Sequence, residues 1–154
     1  AVYQFVQGNI GNGIALILLS LFPVLLYFRN EFILLTFLRL RKQDFEGMEK
    51  WLSKIADPET ALLRKQQGYY NYMYGVIYTR KNLTQAEKYF RKALQLGLTM
   101  DYDKAMVKMS LAGIVIQKRK KREAQELLTE AKKLDKQNMM TEQIKMLQQQ
   151  LKKI

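Results

Sequence analysis

The chain has no cysteine and no histidine, and only two prolines in 154 residues. Without cysteine there are no disulfides and no thiolate metal ligands. Without histidine, the usual acid–base group near neutral pH and the commonest metal ligand are both missing. Most hydrolase and zinc chemistries lose their parts with these two absences. The sequence also lacks paired carboxylates at a useful spacing, a phosphate-cradling glycine loop and any nucleophile–base pair. It is therefore read as a non-enzyme that needs no cofactor. Asp101 and Asp103 have no third and fourth oxygen ligand nearby in sequence, so they are read as helix N-caps rather than a metal site.

The most uneven absence is that of charge. Residues 1–28 contain no Asp, Glu, Lys or Arg; all 26 basic and 14 acidic side chains follow, and the net charge is +12. The uncharged run from Ile10 to Phe28 would span ~28 Å as a helix, close to the ~30 Å of a hydrocarbon core. Pro23 lies inside it, where a soluble helix would lose ~3 kcal/mol but a membrane helix accepts a kink. "QGNIGNG" (7–13) has turn chemistry, and "AVYQFV" before it is again uncharged. The pattern predicts a transmembrane segment over 1–30, half of a helical hairpin with its turn near 7–13, and a true N-terminus upstream of Ala1. Leu16, Leu21, Pro23, Leu25 and Phe28 would then contact lipid. Arg29, Arg39, Arg41 and Lys42 against Glu31 place the remainder on the cytoplasmic side of a bacterial inner membrane. The next stretch, "FILLTFLRLRK", is apolar on nearly every side and calls for cover on all sides. Neighbouring helices would cover part of it. The bilayer surface would cover the rest, through Phe32 and Phe37.

The charged part carries an internal repeat. "GVIYTRKNLTQAEKYFRKALQLG" (75–97) aligns without a gap to "GIVIQKRKKREAQELLTEAKKLD" (113–135), each pair of positions 38 apart. Gly75 matches Gly113, Ala86 matches Ala124, Phe90 matches Leu128, and Ala93 matches Ala131. Small residues recur where two helices must approach, and a large apolar residue recurs where the groove between them must be filled. Apolar spacing of three and four predicts helices over 64–80, 83–96, 101–120 and 122–134, with Thr84 as an N-cap and Gly97 as the terminating glycine. A weaker first copy, within residues 31–58, puts Gly47, Trp51 and Lys54 at the three recurring positions of its second helix and closes at Pro58. Residues 139–154 read as a polar capping helix.

These residues resemble the tetratricopeptide repeat, whose helix pairs carry a small residue in the first helix and an alanine, an aromatic and an alanine in the second. The resemblance covers residues 31–154. It departs in period, 38 instead of ~34, with the surplus in "GLTMDYD" between copies. The whole chain also resembles small membrane-anchored repeat proteins of Bacteroidota. What the resemblance implies is an all-α chain: a transmembrane helix, then a right-handed α-solenoid of about three helix pairs over 31–154, then a capping helix. By the same resemblance, the first helix of each pair lines a concave surface. On it would face Tyr69, Tyr72, Val76, Thr79 and Arg80, then Val107, Ser110, Ile114, Gln117 and Lys118, holding a peptide or partner helix. Tyr72 and Val76 stand where a clamp for a peptide carboxylate would need Asn or Lys.

Two further features bear on partners. "YYNYMYGVIY" (69–78) holds five tyrosines; Tyr74 and Tyr78 are expected in the core, Tyr69 and Tyr72 at the surface. Lys118, Arg119, Lys120, Lys121 and Arg122 form a basic patch. The leading expectation is a membrane-tethered adaptor, an accessory subunit of a membrane complex. The alternative is a basic docking factor for a ribosome, nucleic acid or anionic lipid, based on the pI of about 9.8.

Overall fold

The computed structural model of the chain describes residues 14–17, 19–21 and 31–153. From residue 31 the order is α1 (Glu31–Arg41), α2 (Phe45–Leu52), α3 (Pro58–Ala61), α4 (Arg64–Tyr78), α5 (Leu83–Leu96), α6 (Asp101–Gln117), α7 (Lys121–Leu134) and α8 (Thr141–Lys152). No strand occurs among the described residues; the fold is all-α. α1 packs on α2, α4 on α5 and α6 on α7, each pair touches the next, and α8 closes over α6 and α7.

The second helices of the three pairs begin at Phe45, Leu83 and Lys121, each 38 residues after the last. Their buried positions repeat at the same interval. Met48, Ala86 and Ala124 share one position; Leu52, Phe90 and Leu128 a second; Ile55, Ala93 and Ala131 a third. All nine are 6% exposed or less. The first copy therefore runs one residue later than Gly47, Trp51 and Lys54 suggest. Gly47 is small for a local reason: a Cβ there would lie 2.3 Å from the Asp44 carboxyl that caps α2. Trp51 is half-buried, stacked on Phe32 with its ring centroid 6.1 Å away and the Lys54 ammonium over its face. Aliphatic residues, not the glycine and tryptophan, fill this interface. Pro58 does not close the first pair. It opens α3 in the first turn behind the Asp57 cap, where a missing N–H costs nothing.

In the central pair, shape is set by two glycines. A Cβ on Gly75 would sit 2.5 Å from the Phe90 ring, which is fully buried and has nowhere to go. A Cβ on Gly68 would sit 2.3 Å from the carbonyl oxygen of Gly97. Gly97 ends α5 at a φ of 92°, a conformation open mainly to glycine. Gly113, the sequence partner of Gly75, differs: the nearest atom to its Cβ would be Leu147 of α8 at 3.7 Å, ordinary contact.

Other helix ends also depart from expectation. α5 is capped by Asn82, whose side chain accepts from the Thr84 and Gln85 N–H groups, so Thr84 is inside the helix. Asp101 and Asp103 lie within the first turn of α6 and cap nothing; the residue before that turn is Met100.

The expected inner-membrane location is corrected. Among the described residues no helix is long and apolar enough to cross a membrane. Most of the expected span, including Pro23, Leu25 and Phe28, lies outside the described residues, as does the turn at 7–13. Helical residues 14–17 and 19–21 belong to it, with Leu16 and Leu21 exposed. α1 is also less demanding than its composition suggests. Ile33 and Thr36 are buried, and the Thr36 hydroxyl donates to the Phe32 carbonyl at 2.7 Å. Phe32, Phe37 and Leu40 pack against the protein core, which leaves Leu34 and Leu38 as exposed large aliphatics.

The two matched glycines give a direct test. Gly75→Ala is expected to destabilise by roughly 1–3 kcal/mol through overpacking against Phe90. Gly113→Ala should be neutral or stabilising by up to about 1 kcal/mol through helix propensity. Urea unfolding of both variants checks this, and equal effects at the two sites would refute the close approach.

Candidate functional site

The first helices of the pairs, α1, α4 and α6, share one face of the molecule. Across it runs a groove of about 940 Å³ that reaches the turn between α7 and α8. A second cavity of about 380 Å³ adjoins it, between the starts of α1 and α4 and the α5–α6 turn. Both are lined by Phe37, Met100 and Asp103.

The floor is a row of rings. Phe37 of α1 meets Tyr69 of α4 edge-on with centroids 5.5 Å apart and lies 6.5 Å from Tyr72, which in turn lies 6.4 Å from Phe90. These contacts follow from helical spacing: Tyr69, Tyr72 and Val76 sit three or four apart and share one face of α4. Tyr72 is buried, contrary to expectation, and serves as floor, not as an exposed recognition ring. Burial pushes its hydroxyl well above the usual tyrosine range, with the Asp103 charge adding to it. Tyr74 and Tyr78 are only half-buried. On another face of α4 they stack on Tyr89 of α5, both at 5.3 Å, and Tyr70 joins at 4.9 Å from Tyr74.

Tyr69 is the polar centre. Its hydroxyl donates to Asp103 Oδ2 at 2.6 Å and accepts from the backbone N–H groups of Thr99 and Met100 at 3.3 and 3.4 Å. It therefore fastens α4 to the α5–α6 turn. Burial first, then the bond to Asp103, raises its pKa. At the far end of the groove Asp135 is buried and accepts from the Met139 and Met140 N–H groups, which shapes the turn into α8.

The ten concave-face residues expected from sequence divide. Tyr69, Tyr72, Val76, Thr79 and Ser110 line one or other cavity. Val107 and Ile114 are buried in the core. Arg80, Gln117 and Lys118 line neither cavity. Arg80 lays its guanidinium over the Phe45 ring of α2 at 3.9 Å, and Lys118 pairs with Glu87. Residues that the sequence reading missed are Met100, Met106, Met139, Asp103 and Asp135. Two of them, Met100 and Asp103, come from the surplus stretch between copies, "GLTMDYD", which feeds the groove wall. Met100 and Met139 are 61% and 60% exposed, and such flexible thioethers adapt to varied apolar guests.

The basic patch is largely built into an ion-pair network. Lys118 and Arg91 both reach Glu87, at 2.5 and 2.6 Å; Arg91 also pairs with Glu123, and Lys120 lies 3.7 Å from the same carboxylate. Arg122 pairs with Glu126 at 3.2 Å. Only Arg119 and Lys121 of the run form no ion pair among the described residues. Arg119 adopts a positive φ of 57° in the turn between α6 and α7. The run thus ties α5, α6 and α7 together and is not a bare cationic surface.

No family model, curated protein or solved structure matches the chain.

Glu87 gives this network a pH signature. Burial works to raise its carboxyl, but the bonds from Lys118 and Arg91 outweigh that and hold it below the usual glutamate range. The stabilisation is therefore present at neutral pH and is lost as pH falls through the lowered folded value. Glu87→Gln should lower stability at pH 7 and flatten its decline in acid. Unfolding curves between about pH 3 and 7 check this; parallel profiles for the two proteins would show that the network is energetically idle.

Proposed function

We propose that the chain is a short right-handed α-solenoid related to tetratricopeptide repeats, and that it acts as a non-enzymatic adaptor holding a segment of another protein. The observation that carries this reading is the 940 Å³ groove across α1, α4 and α6, floored by Phe37 and Tyr72 and edged by Met100, Met106 and Met139. Three helix pairs at a 38-residue interval, closed by α8, are the kind of array that stacks repeat on repeat and offers one continuous concave surface. Such a surface suits an extended peptide or an amphipathic helix. The nucleic-acid alternative draws on the net charge of +12, but carboxylates already partner Lys118, Lys120 and Arg122.

A photo-reactive residue in place of Ser110, inside the groove, is expected to cross-link a discrete protein partner in cells. Val76→Arg, which fills the groove with a charged chain, should abolish that adduct. The same reagent at the exposed Lys132 of α7 should give none. Adducts that persist in Val76→Arg, or that form equally from Lys132, would remove the groove from the function.

A further inference from the structure

The charged side chains lining the two cavities are Arg41, Lys65, Asp101, Asp103, Asp135 and Lys136. Arg41, Lys65 and Lys136 are exposed. Asp101 is engaged by Lys104 and Lys136 at 3.2 and 2.9 Å. Asp135 spends both oxygens on backbone N–H groups. Asp103 alone differs. It is 7% exposed, it belongs to both cavities, and its side-chain bond is to Tyr69 through Oδ2, which leaves Oδ1 with no protein partner among the described residues. No ion pair reaches it among the described residues, although cationic side chains outnumber acidic ones by 26 to 14 in the chain.

A carboxylate can accept about four hydrogen bonds, and one that receives a single bond from the protein keeps capacity for a guest's donors. The smaller cavity that Asp103 lines is mostly apolar, walled by Phe37, Tyr69 and Met100, with Lys65, Gln66 and Thr99 as its other polar members; no ion pair joins Lys65 to Asp103 among the described residues. In such surroundings a charge-assisted bond to a cation is worth more than it is in water. A guest with an acidic residue at this point would meet repulsion at low dielectric and would be rejected.

We infer that the groove selects a protein segment carrying one lysine or arginine among apolar residues, and that this cation seats on Asp103 Oδ1. The inference rests on the groove being a peptide-binding surface, as proposed above. The apolar side chains lie on Phe37, Tyr72 and the methionines, and the aliphatic stem of the basic residue runs past Tyr69 with its charged head on Asp103. Asp103 then has two tasks. Through Oδ2 and Tyr69 it holds the α5–α6 turn, and through Oδ1 it reads the guest.

The test is selection of random heptapeptides by phage display on the whole chain. Selected peptides are expected to carry Arg or Lys flanked by apolar residues and to fail on Val76→Arg. Replacing that arginine by citrulline, which keeps the shape and loses the charge, should weaken binding to the unaltered protein about tenfold or more. Asp103→Asn, which can still accept from Tyr69, should bind the arginine and citrulline peptides alike. Peptides that occupy the groove with no basic residue, or with equal affinity for the citrulline form, would overturn the role of Asp103 and leave the groove reading intact. Failure to select any peptide sensitive to Val76→Arg would overturn both. The citrulline comparison needs no protein variant, so it decides the matter even if Asp103→Asn folds poorly.

Discussion

The Phe90 ring fills the space that the absent side chain of Gly75 leaves between α4 and α5, and the geometry of the centre follows from that contact. Because the ring is fully buried against the backbone of α4, the two helices lie at the separation the ring dictates. Tyr72, one turn earlier on α4, then comes to rest 6.4 Å from the same ring and becomes the floor of the groove. Gly68, two turns before Gly75, meets the end of α5 by the same logic, with the Gly97 carbonyl in place of the ring. One narrow gap thus places both the core and the grooved face. In the outer pairs Leu52 and Leu128 occupy the ring's position and demand less of the opposite helix. At Gly113 a Cβ would meet only ordinary contact, with Leu147 of α8 at 3.7 Å.

Polar groups add direction to this apolar frame. Tyr69 joins three segments that hydrophobic contact alone would leave free to shift: the start of α4, the turn at Thr99 and Met100, and the first turn of α6. Glu87 and Glu123 do the same on the other side, where cations from α5 and from the α6–α7 turn converge on them. Exposed ion pairs taken singly contribute little. These share partners, and Glu87 is only 12% exposed, which makes the cluster a clasp between adjacent pairs.

The all-α class and the helices α4 to α7 were legible because a 38-residue recurrence and three-four apolar spacing both survive in the residues themselves. The position of the first pair was one residue off. Gly47 and Trp51 look like the small and aromatic members of the repeat, yet Gly47 answers to the Asp44 cap and Trp51 to Phe32. Caps were misread for a related reason: Asn82, Thr84, Asp101 and Asp103 are all good capping residues, and only backbone direction decides which one serves. Half of the concave-face residues that the tetratricopeptide resemblance implied line one of the two cavities; Tyr69, Tyr72 and Val76 among them share one face of α4. Met139, Asp135 and the role of Met100 were not legible, because they enter from turns, and turn paths are set by tertiary bonds such as those of Tyr69 and Asp135. The uncharged N-terminal run suggested a membrane span from composition alone, and the described helices offer none.

Each helix packs mainly on those close to it in sequence: α1 on α2 and α4, α5 on α4 and α6, α8 on α6 and α7. Contacts of such short sequence separation can form early in folding, without the closure of long loops. They also make cooperativity graded. Among the described residues, the central pair has neighbours on both sides, whereas α1 and α8 are each anchored from one side. Backbone amides in α4 and α5 should therefore exchange with solvent most slowly, and those in α8 should open in partial excursions that leave the centre folded. The groove draws one wall from each of these regimes, with α4 the firm side and the turn before α8 the yielding one.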